Sequence, residues 1–418
     1  MKKLKLNSSP YIVKNTNYST ITFVIYYPYK YDKIHMYDLE LIKQLVMNYS
    51  YEYKSEQEFR KEKVKRLIIG FNCTIKTIHN NLFVIFTLTV PNPKIVKNFD
   101  IEDAFKFFYN TIYNPNIVNG EFDHNQFQRE KEYIKFSIQN ALKNISCDSY
   151  QRFIKYVDDI GDLKNNVYNN LELLEDSNPK SLYEYYKNII INNSPVCIVY
   201  GDIDKDFIEN LYYKYFKKIE NKIIFDKDYD SYLSINQVTS YIEETSNYNQ
   251  SVLCMAYKVE NMCEDDKLFL KLLCSILNSR ETNLIFKKLR LDNNLIYFHR
   301  FNRYIKKGMF VIEAYIDKIN KDITIEKIKE ILVEINDKEL IIEYINKIIK
   351  GLEYKLIELK DSKYYELDKF TDDLFEFNYS LEYVYNFYKE IDIDDFMNFL
   401  NRIKLDTVYF LKGEKNEK

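Results

Sequence analysis

Histidine and cysteine are the residues of this chain that could hold a metal or act as nucleophiles, and neither type is spaced to do so. The four histidines are scattered along the sequence: His35, His79, His124 and His299. His35 precedes a helical stretch, but "HMYDL" has neither a glutamate nor a second histidine where a helical zinc motif needs them. The six cysteines form no C-x-x-C pair, and several lie in apolar runs such as "VCIVY". We interpret the histidines as surface or structural residues and the cysteines as buried, reduced thiols.

Charge and hydropathy argue against two classes of partner. The chain has 60 Lys and Arg against 63 Asp and Glu, a formal net charge of −3. It therefore lacks the cationic excess that a phosphate backbone demands. The basic start "MKKLKLNSSPY" is followed by no apolar segment, and no stretch approaches the roughly 18 apolar residues of a membrane span. We expect a cytoplasmic protein that binds neither nucleic acid nor membrane.

Three segments of the first half recur in the same order in the second half. "STITFVIYYPY" is echoed by "QSVLCMAYKVE", "NNLFVIFTLTVPN" by "KKGMFVIEAYIDK", and "SPVCIVYGDID" by "DTVYFLKGEK". Chance alternation of apolar residues would seldom keep this order, so the pattern predicts two copies of one unit. At 418 residues, two copies give domains of roughly 200 residues each.

Each copy combines strand-like runs with amphipathic helices. "DLELIKQLVMNYS" (38–50) and "DDKLFLKLLCSIL" (265–277) each place apolar residues on one helical face, and a longer helix is predicted from Asp123 to Lys143. The order β-α-α-β-β-α-α-α-β predicts an α+β fold of two tandem homologous domains, each a mainly antiparallel sheet backed by helices. We predict an N-terminal domain over 1–220 and a C-terminal domain over 231–418, with the boundary in the charged segment 217–231.

The duplicated unit resembles the pitrilysin/insulinase family of zinc peptidases, in particular its short, processing-peptidase-like members. The resemblance covers nearly the whole chain, and its best patches are "EFDHNQFQREKEYI", "NPKSLYEYYKNIIINNSPVCIVYGDID" and "LIFKKLRLDNNLIYFHRF". In this order, and together with the duplication, these patches are fairly specific. The resemblance implies the same two-domain α+β fold.

An active member of that family carries an inverted H-x-x-E-H motif on its first helix, where two histidines hold Zn²⁺ and the glutamate activates water. The resemblance places this motif on "ELIKQ", so that Glu40, Lys43 and Gln44 stand at the three functional positions. The third ligand, a glutamate, would fall near Phe136 and Ser137, where there is no acid. A protonated lysine neither ligates zinc nor acts as a base. We therefore expect this chain to bind no metal and to hydrolyse no peptide on its own.

The second half matches another family feature, an arginine followed by tyrosine in the pattern R-x-x-x-x-L-x-Y. "RLDNNLIY" supplies Arg290, Leu295 and Tyr297. In the family these side chains reach the substrate backbone, where a guanidinium and a phenol suit a carbonyl and its developing oxyanion. The alternative interpretation is structural, since Arg290 would end a helix favourably for its dipole and Tyr297 would begin a strand.

The resemblance implies a non-catalytic subunit of a heterodimeric zinc endopeptidase. Such a subunit would form half of a peptide-binding chamber and supply Arg290 and Tyr297 to a homologous, zinc-bearing partner. The zinc would lie in that partner, and the substrate would be a precursor or leader peptide. The alternative is a stand-alone peptide-binding or scaffold protein, and members of this subgroup are also associated with modification of elongation factor P. A neighbouring gene for an H-x-x-E-H relative would favour the subunit.

Overall fold

The chain forms two compact units, and each unit combines segments from both halves of the sequence. A computed structural model describes residues 9–30, 32, 35–78, 81–158, 161, 163–216, 232–360, 362–375 and 379–414. Unit 1 comprises Met1–Asn140, Asn166–Tyr229 and Glu366–Phe377. Unit 2 comprises Ala141–Asn165, Asp230–Tyr365 and Asn378–Lys418. The predicted boundary segment 217–231 lies outside the described residues.

The first half of the sequence alternates strands and helices much as predicted. Its elements are β1 (Tyr11–Lys14), β2 (Thr20–Lys30), α1 (Met36–Asn48), α2 (Glu56–Lys65), β3 (Gly70–Ile78), β4 (Asn81–Pro91), α3 (Ile101–Tyr113), β5 (Ile117–Val118), β6 (Glu121–Phe122), α4 (His124–Ala141), α5 (Ile145–Val157), α6 (Leu171–Asp176), α7 (Pro179–Tyr186), β7 (Val196–Gly201) and α8 (Lys205–Tyr215). The predicted long helix is α4, which begins after Asp123 because that carboxylate accepts a hydrogen bond from the backbone N–H of Gln126.

The second half repeats the pattern with a longer helical insertion before its last strand. Its elements are β8 (Ser240–Ser246), β9 (Ser251–Val259), α9 (Asp266–Asn278), α10 (Leu284–Phe286), β10 (Ile296–Tyr304), β11 (Met309–Ile316), α11 (Lys321–Glu334), α12 (Lys338–Leu359), α13 (Lys363–Phe375), α14 (Leu381–Lys389), α15 (Ile393–Leu400) and β12 (Ile403–Gly413). A π-helical turn, Lys287–Leu291, continues α10. None of the helices in the described ranges combines the length and apolarity that a bilayer crossing needs.

The sheets of the two units have one topology. Within the described residues, unit 1 contains a five-stranded sheet in the order β1-β7-β2-β4-β3, and unit 2 one in the order β8-β12-β9-β11-β10. In each sheet the first two strands are parallel and the other neighbours are antiparallel. The three repeated segments thus fall on equivalent strands, β2 with β9, β4 with β11 and β7 with β12. The predicted duplication and the α+β fold class are confirmed.

The edge strands β1 and β8 were not predicted. β1 is only four residues long, and β8 alternates half-buried with exposed residues. Because both pair with a neighbour on one side only, neither needs the continuous apolar run that marks β9 or β11. Short or half-polar edge strands lack the apolar run by which a strand is predicted from sequence.

The first face of each sheet packs against helices that are close in sequence. In unit 1 the ring of Phe105 on α3 lies 4.9 Å from that of Phe23 on β2. In unit 2, α9 and α12 bury Leu272 and Ile345 in the same core as Phe310 of β11. The apolar faces predicted for α1 and α9 are buried here, as their helical spacing required.

The second face of each sheet is covered by a helix from the other half of the sequence. In unit 1, Leu367 and Phe375 of α13 pack on β2 and β4, with the Phe375 ring 4.9 Å from that of Tyr26. In unit 2, Phe153 and Val157 of α5 pack on β9, β11 and β12. The ranges 1–220 and 231–418 remain a prediction for the two homologous copies. The compact units follow a different division because α5 and α13 each complete the other copy's sheet.

Candidate functional site

The residues that the resemblance assigns to the zinc motif lie on one half-buried flank of α1. Lys43 Nζ is 3.5 Å from Glu40 Oε2, and both side chains are about one-third exposed. Gln44 follows on the same helix and is half-buried. An ammonium group paired with the carboxylate occupies the position from which a metal would have to be bound. This set of donors does not fit zinc.

No other residue nearby supplies the missing ligands. Phe136 and Ser137 on α4 are both exposed, and their side chains offer no carboxylate. The Cys73 thiol on β3 interacts electrostatically with Lys43 and Glu40. However, burial raises the pKa of this thiol to about 12, which disfavours the thiolate that a metal would bind. Among the described residues there is no group of three or more His, Cys, Asp or Glu side chains that could hold a metal. That this chain binds no zinc stays a prediction for direct measurement.

The described histidines have structural partners or lie on the surface. His35 Nδ1 is 2.7 Å from Asp38 Oδ2, and its ring stacks on Tyr185 at 3.9 Å. His299 Nε2 is 2.7 Å from Asn278 Oδ1, and burial lowers the pKa of this imidazole. His124 is exposed at the start of α4, and His79 lies outside the described residues.

Arg290 lies in the π-helical turn that precedes β10, at the surface of unit 2. Its Nη1 donates to the backbone oxygen of Ile296 at 2.7 Å and to Asn294 Oδ1 at 2.9 Å. These contacts fix the guanidinium beside the first residues of the strand. Within the described part of the chain, no hydrogen bond occupies Nη2 or Nε, so the fork retains donors for a ligand.

Tyr297 lies at a β-bulge on the edge strand β10. Ile296 pairs with Ile316 and Phe298 with Tyr315, so Tyr297 is the extra residue. Its side chain is 54% exposed and that of Phe298 is 56% exposed, because the bulge turns two consecutive aromatic residues to the surface. Bulges at sheet edges commonly re-aim a side chain near a functional site. This geometry goes beyond what the start of a regular strand would require.

Asp317 completes the group, and no pattern in the sequence pointed to it. Tyr297 Oη donates to Asp317 Oδ2 at 2.6 Å, and this bond raises the pKa of the phenol, while the charge of Arg290 lowers it. The phenol is therefore held protonated, as a donor, close to the guanidinium. Asp317 follows β11 directly, and only the strand pairing of β10 with β11 brings it to Tyr297.

Comparison with known proteins shows which family the chain resembles. Residues 176–352 match the family described as "Peptidase M16 inactive domain", a range that contains both Arg290 and Tyr297. The chain is also 22% identical to the "Probable inactive metalloprotease YmfF" of Bacillus subtilis (strain 168) over 347 residues, 79% of this chain and 78% of that protein. The chain is similar to inactive M16 peptidases. The predicted pitrilysin/insulinase resemblance is confirmed.

Solved structures show the same fold over the full length of this M16 homologue. A conserved protein from Enterococcus faecalis V583 superposes with a TM-score of 0.82 at 16% identity and covers 100% of both chains. The periplasmic protease PqqL from Escherichia coli superposes with a TM-score of 0.70 at 12% identity. That match covers 100% of this chain but 48% of PqqL, so PqqL is about twice as long.

Proposed function

We propose that this M16 homologue is the non-catalytic subunit of a heterodimeric zinc endopeptidase. It contributes half of a peptide-binding chamber, and Arg290 and Tyr297 bind the substrate while a homologous partner holds the zinc. The substrate is a precursor or leader peptide, which the pair trims in the cytoplasm.

The bulge at Tyr297 is the observation that carries this proposal. A tyrosine that merely began a strand would alternate with its neighbours, one side chain inward and one outward. Here Tyr297 and Phe298 both face outward, and the charge of Arg290 acts on the Tyr297 phenol, whose hydroxyl donates to Asp317. A guanidinium, together with a phenol that could exchange Asp317 for a ligand, suits a peptide carbonyl.

The length of PqqL supports the need for a partner. One PqqL chain contains this fold in roughly half its length, so that protease spans about twice the chain described above. This M16 homologue supplies one half of such an arrangement, and a second, zinc-bearing chain would supply the other. The ion pair of Glu40 and Lys43 on α1 supports the proposal that the zinc comes from the partner.

Arg290 and Tyr297 would act by stabilising charge. The partner's zinc would polarise the scissile carbonyl and activate water. The Arg290 fork would orient the peptide backbone. Tyr297 would release Asp317 and donate its proton in a hydrogen bond to the oxygen on which negative charge develops. Because this charge is largest in the transition state, the contribution would appear in kcat more than in KM.

The cysteines support a reducing compartment. All six carry free thiols, and Cys73, Cys197, Cys254 and Cys274 are buried in the two sheets and in α9. Free thiols are typical of cytosolic proteins, where disulfides are kept reduced. We therefore place the proposed pair in the cytoplasm.

The test is peptide cleavage by the chain reconstituted with an H-x-x-E-H relative from the same genome. Tyr297→Phe and Arg290→Ala should lower kcat by about 10²-fold, toward the lower end of the range for a lost oxyanion donor. Arg290→Lys should rescue poorly, because an ammonium does not reproduce a planar fork. Tyr354→Phe is the matched control, since Tyr354 is 70% exposed on α12.

Size-exclusion chromatography of the same mixtures separates assembly from chemistry. If the pair assembles and both substitutions leave kcat within about twofold, the chain forms a wall of the chamber and the assigned role of Arg290 and Tyr297 is wrong. If no zinc-bearing relative associates at micromolar concentration, the heterodimer is wrong. The stand-alone peptide-binding protein is then the better interpretation.

A further inference from the structure

The arginines of this chain divide sharply by their partners. Five of the nine arginines form ion pairs with carboxylates: Arg60, Arg66, Arg129, Arg152 and Arg402. The other four are Arg280, Arg290, Arg300 and Arg303. None of these four forms an ion pair with a carboxylate of the described residues. All of them fall within 24 residues of unit 2 (280–303).

Arg300 and Arg303 lie on β10, the edge strand of the unit 2 sheet, and both are exposed. Arg300 pairs in register with Glu313 and Arg303 with Phe310, so the two guanidinium groups leave the strand on opposite faces. The sequence from 293 to 312 contains no Asp or Glu at all. The edge of this sheet is therefore a stretch of positive charge.

Glu313 and Arg300, both described residues, form no ion pair with each other. Its side chain is 1% exposed and accepts hydrogen bonds from Asn302 Nδ2 and from Tyr315 Oη at 3.4 Å. Burial raises the pKa of this carboxyl, although the charge of Arg300 opposes that effect. The carboxyl group is satisfied inside the sheet, and the guanidinium remains at the surface.

Aromatic side chains lie between the cations. Phe298 and Arg300 are two residues apart on one face of β10, and the bulge presents Tyr297 beside Arg290 at the start of the strand. We call the set Arg290, Tyr297, Phe298, Arg300 and Arg303 the β10 surface. It combines planar cations, which bind carboxylates bidentately, with exposed rings that favour apolar contact.

We propose that the β10 surface binds an extended acidic peptide segment that carries carboxylate and apolar side chains on both of its faces, since Arg300 and Arg303 lie on opposite faces of the strand. This proposal rests on the proposed function and adds that the peptide substrate is acidic. Aromatic and cationic residues also suit single-stranded nucleic acid. However, Asp292 and Asp317 flank the start of the surface and would repel a continuous phosphate backbone, while a peptide carries charge only at chosen positions.

The experiment measures binding of labelled peptides to the full-length chain alone, by fluorescence anisotropy. One peptide combines glutamate with leucine and phenylalanine so that glutamates fall at both odd and even positions, and its match carries glutamine in place of every glutamate. We expect the acidic peptide to bind at least about tenfold more tightly, and the difference to shrink as salt screens the charges. A single-stranded oligonucleotide of equal length is the competitor.

Two double variants locate the site. Arg300→Gln with Arg303→Gln should weaken binding of the acidic peptide about tenfold, since each exposed charge contact contributes a few-fold in affinity. Arg60→Gln with Arg129→Gln makes the same charge change at two exposed arginines of unit 1 that pair with Glu56, and should have no effect. Circular dichroism confirms that both variants are folded.

Three results would overturn the proposal: equal affinity for the two peptides, unchanged affinity in the Arg300/Arg303 variant, or tighter binding of the oligonucleotide. Each is distinct from failure of the proposed function. If acidic and neutral peptides bind equally but Tyr297→Phe still lowers turnover of the reconstituted pair, only the charge class is wrong. If the acidic peptide binds as expected but no partner confers cleavage, the β10 surface does bind acidic peptides and the proposed role as a peptidase subunit is wrong.

Discussion

At the scale of single residues, the flank of α1 and the start of β10 differ in what they could bind. Lys43 presents an ammonium group 3.5 Å from the Glu40 carboxylate, a pair that does not suit zinc. The guanidinium of Arg290 and the hydroxyl of Tyr297 lie at the surface of unit 2, where Tyr297 donates to Asp317. Substrate binding and bond cleavage require different residues, so one can persist where the other is lost.

Metal content is the first prediction at this scale. After dialysis the purified chain should contain no stoichiometric zinc by elemental mass analysis, because the Glu40–Lys43 pair offers no ligand set. A zinc-bearing M16 relative purified in parallel is the positive control. One tightly held zinc per chain, released by Glu40→Ala, would contradict the assignment of this chain as the non-catalytic subunit.

The buried carboxyl of Glu313 should make stability depend on pH. Burial raises the folded-state pKa of this carboxyl above the unfolded value, and the positive charge of Arg300 partly opposes the increase. The other polar or titratable groups near it are Asn302, Tyr315, Tyr150, Tyr304 and Cys254. Between the two pKa values the folded state binds more protons than the unfolded state. The free energy of unfolding should therefore fall as pH rises through this window and level off above it.

Glu313→Gln tests this directly. The amide keeps the acceptor for Asn302 and removes the ionisation, so the variant should be the more stable protein above the window, and the fall in stability should disappear. Urea unfolding at a series of pH values measures both. Glu281→Gln, an exposed glutamate of the same unit, is the control and should follow the wild type. An unchanged pH profile in Glu313→Gln would mean that another group titrates.

At the scale of elements, each of two β-bulges in unit 2 places a polar side chain. The bulge in β10 exposes Tyr297, and the bulge in β12 falls at Asp406, between Leu405 and Thr407. Asp406 is fully buried and lies 3.2 Å from Lys258 Nζ on β9. It also accepts hydrogen bonds from the backbone N–H of Asn236 and from Thr407 Oγ1. The second bulge thus joins the segment before β8 to the centre of the sheet.

Lys258→Met should be strongly destabilising. It leaves the Asp406 carboxylate buried without its cation, which typically costs about 3–5 kcal/mol. Lys338→Met is the matched control, because the Lys338–Asp394 pair is exposed and its loss should cost less than about 1 kcal/mol. Urea midpoints compare the two variants. Similar small shifts in both would show that the buried pair stabilises the fold no more than the exposed pair does.

At the scale of the whole molecule, the two halves of the sequence depend on each other. The second face of the unit 1 sheet is closed by α13, from the second half, and that of the unit 2 sheet by α5, from the first. The ring of Phe375 packs against the rings of both Tyr26 and Phe83 in unit 1. Without its exchanged helix, each sheet would expose a broad apolar face to water.

Separate expression of residues 1–220 and 221–418 tests this dependence. Each fragment alone should aggregate, while co-expressed fragments should purify together through a tag on one of them. Phe375→Asp should abolish this association, because it places a charge in the apolar layer against the unit 1 sheet. Ile357→Asp makes the same kind of change at a side chain 60% exposed on α12 and should be tolerated. Soluble, monomeric fragments would show that the exchange is dispensable.

The sequence by itself determined the repeated unit, the helical faces of α1, α4 and α9, and the strands β2, β4, β7, β9, β11 and β12. These are local properties: the spacing of apolar residues records which face of an element is buried. It also predicts the loss of the zinc motif at Glu40, Lys43 and Gln44, because that prediction is a matter of residue type and needs no geometry.

The tertiary structure decided what lies against each buried face. Periodicity shows that α5 and α13 have apolar sides but does not show which sheet receives them, so the exchange of helices could not be predicted. The bulge at Tyr297 depends on the register between β10 and β11, and Asp317 reaches the phenol only through that register. Whether an arginine is paired or free depends in the same way on residues distant in sequence. Contacts of this kind arise from the packing of the whole chain, and no local pattern encodes them.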